Sequence, residues 1–201
     1  MSLFEGPDGL PRCQWCGGAP EFVPYHDREW GFPVGDDTRL FEKLSLEAFQ
    51  SGLSWRTILN KREAFRSSFA GFDIRKVAAF TDADIDRLLA DPGIVRHRGK
   101  IEAVINNAGR AIEVIDEFGS LAAYVWRYEA NDTKAPPQTT STTAESIAMS
   151  KDLKKRGWKF VGPTTVFAFM QAMGLVNDHA VGCVSREQVR SARAVFKVPA
   201  S

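Results

Sequence analysis

Apolar residues recur at spacings of three and four along most of the chain, whereas the alternation typical of strands is nearly absent. The pattern predicts helices that start near Ser, Thr, Asp or Pro and mostly end at glycine. They cover about 36–52, 54–71, 81–90, 99–119, 120–128, 144–156, 163–173 and 185–196. The predicted fold class is therefore all-α, with short connections.

The chain length predicts one folded unit, because 201 residues suffice for a single core shared by two small helical lobes. The unit covers 12–196, with one helical lobe over about 36–128 and a second built from 12–35 and 144–196. The polar, threonine-rich stretch 131–143 contains Pro136 and Pro137 and predicts a loop between the lobes. We expect residues 1–11 to be a flexible tail and 197–201 to be a second tail.

Composition excludes several classes of protein. The net charge is only +1, so any surface that binds nucleic acid must be a local basic patch. No apolar run is long enough for a transmembrane helix, and the start of the chain lacks the order of a secretory signal. We expect a cytoplasmic monomer with no membrane partner. Three cysteines without an export signal indicate core thiols, a reactive thiol or metal ligands rather than disulfides.

Four residues from the two ends of the chain could hold a metal ion. Cys13 and His26 lie near the start, and His179 and Cys183 lie four residues apart near the end. A Cys2His2 set fills the tetrahedral shell of zinc, so the predicted role is structural: the ion would join the two terminal segments. Cys16 could replace His26 in an equally plausible set, and spacing alone does not separate the two or exclude ordinary core thiols.

Aromatic residues surround one acidic residue in the first third of the chain. They are Trp15, Phe22, Tyr25, Trp30 and Trp55, and the acidic residue is Glu47. A purine methylated at N3 is flat and cationic, and aromatic faces hold such a ring by stacking and cation–π attraction. A carboxylate can accept hydrogen bonds from the exocyclic amine and offset the charge. Plain core packing is the alternative interpretation of each residue taken singly.

A basic turn connects two predicted helices. The sequence from Leu88 to Ile101 reads as helix, glycine-containing turn and helix, and a helix start offers backbone N–H groups to a phosphate. Arg96, Arg98 and Lys100 add positive charge around Gly99. The pattern is typical of a helix-hairpin-helix motif that binds the DNA backbone, although an ordinary solvated surface would look similar.

Taken together, these motifs resemble one family, 3-methyladenine DNA glycosylase I. The resemblance spans about 12–183 and rests on RCQW at 12–15, YHDREWG at 25–31, LE at 46–47, QSGLSW at 50–55, GIVRHRGKI at 93–101, KKRG at 154–157, KFVG at 159–162, FMQA at 169–172 and GLVNDH at 174–179. It implies a variant of the helix-hairpin-helix glycosylase fold and a monofunctional enzyme of base-excision repair. That enzyme would flip 3-methyladenine out of double-stranded alkylated DNA and hydrolyse its N-glycosidic bond.

The resemblance also implies roles for individual residues. It selects Cys13, His26, His179 and Cys183 as zinc ligands. It makes Glu47 the catalytic, base-recognising carboxylate, Tyr25 and Trp55 the stacking aromatics, and Trp15, Trp30 and Phe22 further members of the pocket. Phe22 stands where relatives carry tyrosine, so a hydroxyl is missing there. Gly52 and Leu53 fall on the segment that enters the duplex beside the vacated base, and Arg96, Arg98, Gly99 and Lys100 fall on the hairpin that binds DNA.

Three alternatives remain at this point. The chain could sense alkylated DNA without turnover, as the basic hairpin and Phe22 would permit. It could be a bifunctional glycosylase that uses the Lys100 amine to form a Schiff base. It could also be a zinc hydrolase, which would require an open coordination position on the metal.

Overall fold

Helices dominate the computed structural model, which describes residues 3–130 and 136–200. They are α1 (Phe22–Arg28), α2 (Asp37–Gln50), α3 (Trp55–Asn60), α4 (Arg62–Ser68), α5 (Ile74–Ala78), α6 (Asp82–Ala90), α7 (Arg98–Phe118), α8 (Leu121–Trp126), α9 (Ala144–Lys155), α10 (Pro163–Ala172) and α11 (Val184–Val195), with 3-10 helices at Gln14–Gly18 and Ala70–Phe72. The predicted helical fold class is confirmed. Within the described ranges, no helix is both long and apolar enough to span a membrane.

Local capping explains where the longer helices begin and end. The Asp36 side chain accepts a hydrogen bond from the Arg39 backbone N–H at 2.8 Å, which fixes the start of α2. Thr81 and Asp84 form the predicted capping box at the start of α6. Helix α7 ends at Gly119, whose φ of 83° is a left-handed conformation that favours glycine.

The predicted helix over 54–71 is wrong in one respect, because it is interrupted. Lys61 separates α3 from α4, and its Nζ donates to the carbonyl oxygens of Pro92 and Gly93 at 3.0 and 3.2 Å. The interruption lets Phe65 pack on Phe49 of α2, with ring centroids 4.7 Å apart. Helices α1 and α5 were not predicted, because elements of five to seven residues are too short to show a periodic pattern.

The N-terminal segment also differs from the expectation of a loose tail over 1–11. Strand β1 (Leu3–Glu5) pairs antiparallel with strand β2 (Pro11–Cys13), and Leu3 lies opposite Cys13. Arg12 then anchors the intervening turn, since its guanidinium donates to both carboxylate oxygens of Asp8 at 2.8 Å. Residues 1 and 2, the segment 131–135 and residue 201, on which parts of the predicted tails and loop fall, lie outside the described residues.

Helix α2 is the centre of the core. Its residues from Leu40 to Phe49 are all buried, and it packs against α7, α8 and α10. A second link holds the loop before α10 to α7, where the Asn107 side chain bonds the backbone N–H and carbonyl of Lys159 at 2.8 and 2.9 Å. Helices from both predicted lobes therefore pack in one core, and Lys43, Glu47 and Gln50 of α2 line a cavity beside it.

Candidate functional site

Four buried side chains from distant parts of the chain converge on one point. The potential ligand atoms of Cys13, His26, His179 and Cys183 all lie within 4.8 Å of one another. His179 Nδ1 is 3.2 Å from His26 Nε2 and 3.6 Å from each of the two sulfur atoms, and Cys183 Sγ is 3.4 Å from His26 Nε2. The cluster joins β2, α1 and the loop that leads into α11.

These distances can be compared with the edges of a zinc tetrahedron. Zn–N bonds of about 2.0–2.1 Å and Zn–S bonds of about 2.3 Å at tetrahedral angles place two nitrogens about 3.3 Å apart and a nitrogen and a sulfur about 3.6 Å apart. The observed separations of 3.2 Å and of 3.4–3.6 Å match both edges. The donor set therefore fits a tetrahedral ion and would leave no fifth position for a catalytic water.

Each of the two imidazoles uses one ring nitrogen for a contact outside the cluster, which leaves His26 Nε2 and His179 Nδ1 facing the other donor atoms. His26 Nδ1 lies 2.8 Å from Asp27 Oδ1, and His179 Nε2 lies 3.0 Å from the Trp30 carbonyl oxygen. Metal-binding histidines usually donate the second N–H to such a carboxylate or carbonyl. Arg12 holds Asp27 in turn, through Nε and Nη2 at 2.9 and 2.8 Å.

The backbone near Trp30 also approaches the cluster closely. A side chain at Gly31 would bring a Cβ within 2.8 Å of His179 Nε2, and its φ of 88° favours glycine as well. Cys16 is buried but does not belong to the group of mutually close donor atoms. Burial raises the pKa of its thiol to about 12, so Cys16 behaves as a neutral core residue.

A cavity of about 390 Å³ opens beside this cluster. All six residues predicted for base recognition line it, together with six that sequence reasoning missed. The predicted residues are Trp15, Phe22, Tyr25, Trp30, Glu47 and Trp55, and the others are Lys43, Gln50, Gln138, Thr140, Ala168 and Gln171. The volume falls in the range of small-molecule sites.

Lys43 and Glu47 form a buried ion pair at the wall of this cavity. Lys43 Nζ lies 2.7 Å from Glu47 Oε1, donates to the Tyr25 hydroxyl at 2.9 Å and lies 3.4 Å from the centroid of the Trp55 ring. Burial alone would lower the pKa of Lys43, but the neighbouring Glu47 and Tyr25 hold it above its ordinary value, so the ammonium is charged. Lys43 could have been found from the sequence, since residues four apart share a helix face.

The aromatic rings connect the cavity with the donor cluster. The Trp30 ring stacks against His26 at 6.1 Å and meets His179 edge-on at 4.6 Å, so contacts with these two histidines fix one wall of the cavity. Trp15 meets Trp30 edge-on at 5.2 Å and Phe22 at 5.8 Å. These contacts leave the aromatic walls little freedom to rearrange, which suits recognition of a flat ring.

A second cavity of about 340 Å³ adjoins the first and shares Glu47, Gln50 and Ala168 with it. Gly52 and Leu53 lie at its rim, and the Leu53 side chain is exposed although it is large and apolar. The φ of Gly52 is 81°, and nothing surrounds the position that a Cβ would take, so the turn presents Leu53 outward.

The structure places Lys100 differently from the expectation of a phosphate-binding side chain. Lys100 is buried, and its Nζ donates to the carbonyl oxygen of Phe49 at 2.8 Å and to that of Ser51. It therefore closes the C-terminal end of α2, where a cation is favourable, and supports the turn of Gly52. Arg96 is exposed on the turn between α6 and α7, and Arg98 is exposed at the first position of α7, 3.2 Å from Asp86.

Another groove, of about 580 Å³, lies along α11 and is lined by none of the predicted site residues. Arg186 donates to the His179 carbonyl oxygen there, and Arg193 forms an ion pair with Glu129. These contacts hold the loop of His179 and the end of α11 in place.

A helical fold with a buried Cys2His2 cluster and an aromatic cavity that contains a buried carboxylate is typical of a protein that binds a flat, nucleobase-like ligand. Residues 15–187 match the family described as methyladenine glycosylase, and the chain belongs to this family. The resemblance seen in the sequence is thereby confirmed.

Individual relatives agree with the family assignment. The chain is 46% identical over 179 residues to DNA-3-methyladenine glycosylase 1 of Escherichia coli (strain K12), which covers 87% of this chain and 96% of the relative. It is 43% identical to DNA-3-methyladenine glycosylase of Haemophilus influenzae, over 86% of this chain and 96% of the relative. A solved variant of 3-methyladenine DNA glycosylase I in complex with 3-methyladenine superposes with a TM-score of 0.81 at 38% identity, over 87% of this chain and 97% of that one.

Proposed function

We propose that this protein removes 3-methyladenine from alkylated double-stranded DNA by hydrolysing the N-glycosidic bond. The observation that carries the proposal is the Glu47 carboxylate in a cavity walled by aromatic rings, within a family whose relatives are named for this activity. The damaged nucleotide would be flipped out of the duplex, as in other enzymes that act on a base.

The residues of the cavity would have two roles, which are to bind the base and to balance its positive charge. Tyr25 and Trp55 would stack on the base, with Trp15, Trp30 and Phe22 completing the walls. Glu47 would accept hydrogen bonds from the exocyclic amine and offset the positive charge. Cleavage moves the bonding electron pair onto the base, which leaves as neutral 3-methyladenine, and water adds to the sugar carbon and loses a proton.

Two surface segments would hold the DNA. Leu53 would enter the space that the flipped nucleotide vacates, because it is exposed on the turn of Gly52 beside the base cavity. The turn between α6 and α7, together with the start of α7, would bind the phosphate backbone as a helix-hairpin-helix motif, through Arg96, Arg98 and the backbone of Gly99. Lys100 would support the turn of Gly52 and Leu53 through its bonds at the end of α2 rather than contact phosphate.

We further infer that the Cys13, His26, His179 and Cys183 cluster holds zinc in a structural role. The donor set and its edge lengths support zinc, and four protein ligands leave no open position, which argues against a zinc hydrolase. The ion would hold β2 and α1 against the loop before α11. It would also fix Trp30 and so the wall of the base cavity.

Lys100 also bears on the possibility of a bifunctional enzyme. A Schiff base would need a free amine in the cavity, whereas Lys100 Nζ is bound by two carbonyl groups at the end of α2. We therefore propose a monofunctional glycosylase and expect no covalent protein–DNA adduct after borohydride treatment. The monomeric state and the cytoplasmic location stay predictions.

The experiment is base release from DNA methylated at N3 of adenine, with the released base identified by mass. The wild-type protein should release 3-methyladenine, and Glu47→Gln, which keeps the shape of the side chain, should lose most of the rate. Binding of the methylated DNA without release by either protein would instead indicate a lesion sensor.

A further inference from the structure

Lys43 places a second charge in the base cavity. Among the described residues that line this cavity, Lys43 and Glu47 are the charged ones. The charges behind them are paired elsewhere: Arg62 with Glu29 at 2.6 Å and Arg66 with Glu42 at 2.8 Å. The cavity therefore has no net charge when it is empty, although its ligand in DNA is a cation.

The position of the ammonium makes this charge effective. Lys43 Nζ already uses one oxygen of Glu47 and the Tyr25 hydroxyl, and it covers one face of the Trp55 ring at 3.4 Å. A cationic base that stacks on the other face of Trp55 would meet a ring polarised toward Lys43 and a carboxylate that is partly neutralised. A neutral base would lose much less from the same arrangement.

We propose that Lys43 is a specificity-determining residue because its charge neutralises Glu47. With Lys43 present, the cavity favours the uncharged departing base over the cationic base more strongly than it would with Glu47 alone. This proposal rests on the proposed function. Breaking the N-glycosidic bond transfers the positive charge from the base to the sugar. A fixed cation beside the base therefore opposes the bound substrate more than the transition state, which is a contribution to the rate.

The test compares two ligands that differ mainly in charge. One is free 3-methyladenine at a pH where it is neutral, and the other is 3,9-dimethyladeninium, a permanent cation whose N9 methyl group takes the place of the sugar carbon. Affinities can be followed by quenching of tryptophan fluorescence. The measured quantity is the ratio of cation affinity to neutral-base affinity, which loss of packing alone would not shift.

Four proteins give the cavity three different charges: wild type and Lys43→Met/Glu47→Gln are neutral, Lys43→Met is negative and Glu47→Gln is positive. Charges about 7 Å apart at an effective dielectric constant of about 20–40 change the ratio by about ten- to fiftyfold. We expect the ratio to rise by that factor in Lys43→Met, to fall in Glu47→Gln and to return near the wild-type value in the double variant. Methionine is unbranched and adapts to the space of the lysine stem.

An unchanged ratio in Lys43→Met would overturn the proposal. If Lys43→Met does not fold because Glu47 is left unpaired, the comparison of Glu47→Gln with the double variant decides. Neither of these buries a lone carboxylate, and in Glu47→Gln the Lys43 ammonium keeps the Tyr25 hydroxyl and the Trp55 ring as partners. An equal ratio in those two proteins would likewise contradict the role of Lys43. If the wild-type protein binds neither ligand, the proposed function itself fails, which distinguishes the two failures.

Discussion

The cluster of Cys13, His26, His179 and Cys183 is proposed to hold zinc, and substitution of its cysteines tests that proposal. Cys13 ends strand β2 and Cys16 lies in the 3-10 helix that follows it. Both thiols are buried, but of the two only Cys13 belongs to the donor group, with its sulfur 3.6 Å from His179 Nδ1. Cys13→Ser should therefore abolish stoichiometric zinc binding, and the matched variant Cys16→Ser should keep it.

The expected effect on stability follows from linkage. Free zinc at about a thousandfold above its dissociation constant stabilises the folded state by about 4 kcal/mol. Each kcal/mol shifts the melting temperature of a chain of this size by about 2–4 °C, so chelation should lower it by about 8–16 °C. Cys13→Ser should begin near the chelated value and respond little to the chelator.

The assay is metal analysis of the purified variants, followed by thermal unfolding with and without chelator. The change in melting temperature on chelation is compared within each protein, so the packing cost of either serine cancels. Zinc retained without Cys13 but lost without Cys16 would refute the ligand assignment. A melting temperature insensitive to chelation in the wild-type protein would refute the structural role.

Further predictions concern the supporting residues. Lys100→Met should lower the free energy of unfolding by about 1–3 kcal/mol, because two buried carbonyl groups lose their donor, as denaturant titration would measure. Arg98→Ala changes an exposed side chain, so it should leave the free energy of unfolding unchanged and weaken DNA binding. The slope of the logarithm of the DNA-binding constant against the logarithm of salt concentration should fall by about one. Equal losses of stability in Lys100→Met and Arg98→Ala would contradict a structural role for Lys100 and a DNA-binding role for Arg98. Leu53→Ala should slow base release without lowering the melting temperature, unlike an ordinary core substitution. Although burial opposes it, bonding to Arg156 and Tyr124 keeps the pKa of Asp152 below its ordinary value. The stability from Asp152 is therefore present above the ordinary aspartate pKa and lost as pH falls through the lowered one, so Asp152→Asn should be less stable than wild type at neutral pH and equally stable in strong acid.

The sequence predicts the long helices well because their boundaries are set locally. Asp36, Thr81 and Gly119 act within one turn of the helix they begin or end, so their effect is visible without the fold. Short helices such as α1 are stabilised by tertiary packing and carry no periodic signal of their own. Strand β1 likewise depends on a partner strand that the residue pattern does not identify.

In the candidate site, too, features that depend on residue type could be predicted from the sequence, whereas features that depend on tertiary contacts could not. The aromatic residues, Glu47 and the metal-binding set were predicted because their residue types and the family resemblance point to them. The burial of Lys100 was not, since nothing local indicates that its ammonium lies against the end of α2 rather than in solvent. The choice of His26 over Cys16 depends on contacts of His26 Nε2 with His179 and Cys183, which are 153 and 157 residues away from His26 along the chain.

The central claim is that the cavity around Glu47 binds and releases 3-methyladenine, and one measurement tests it most directly. Double-stranded DNA carrying N3-methylated adenine is incubated with the wild-type protein and with Glu47→Gln, and released bases are identified and quantified over time. The account predicts free 3-methyladenine from the wild-type protein, with the DNA strand left intact, and a strongly reduced rate from Glu47→Gln. No released base from the wild-type protein, or equal rates from the two proteins, would contradict it.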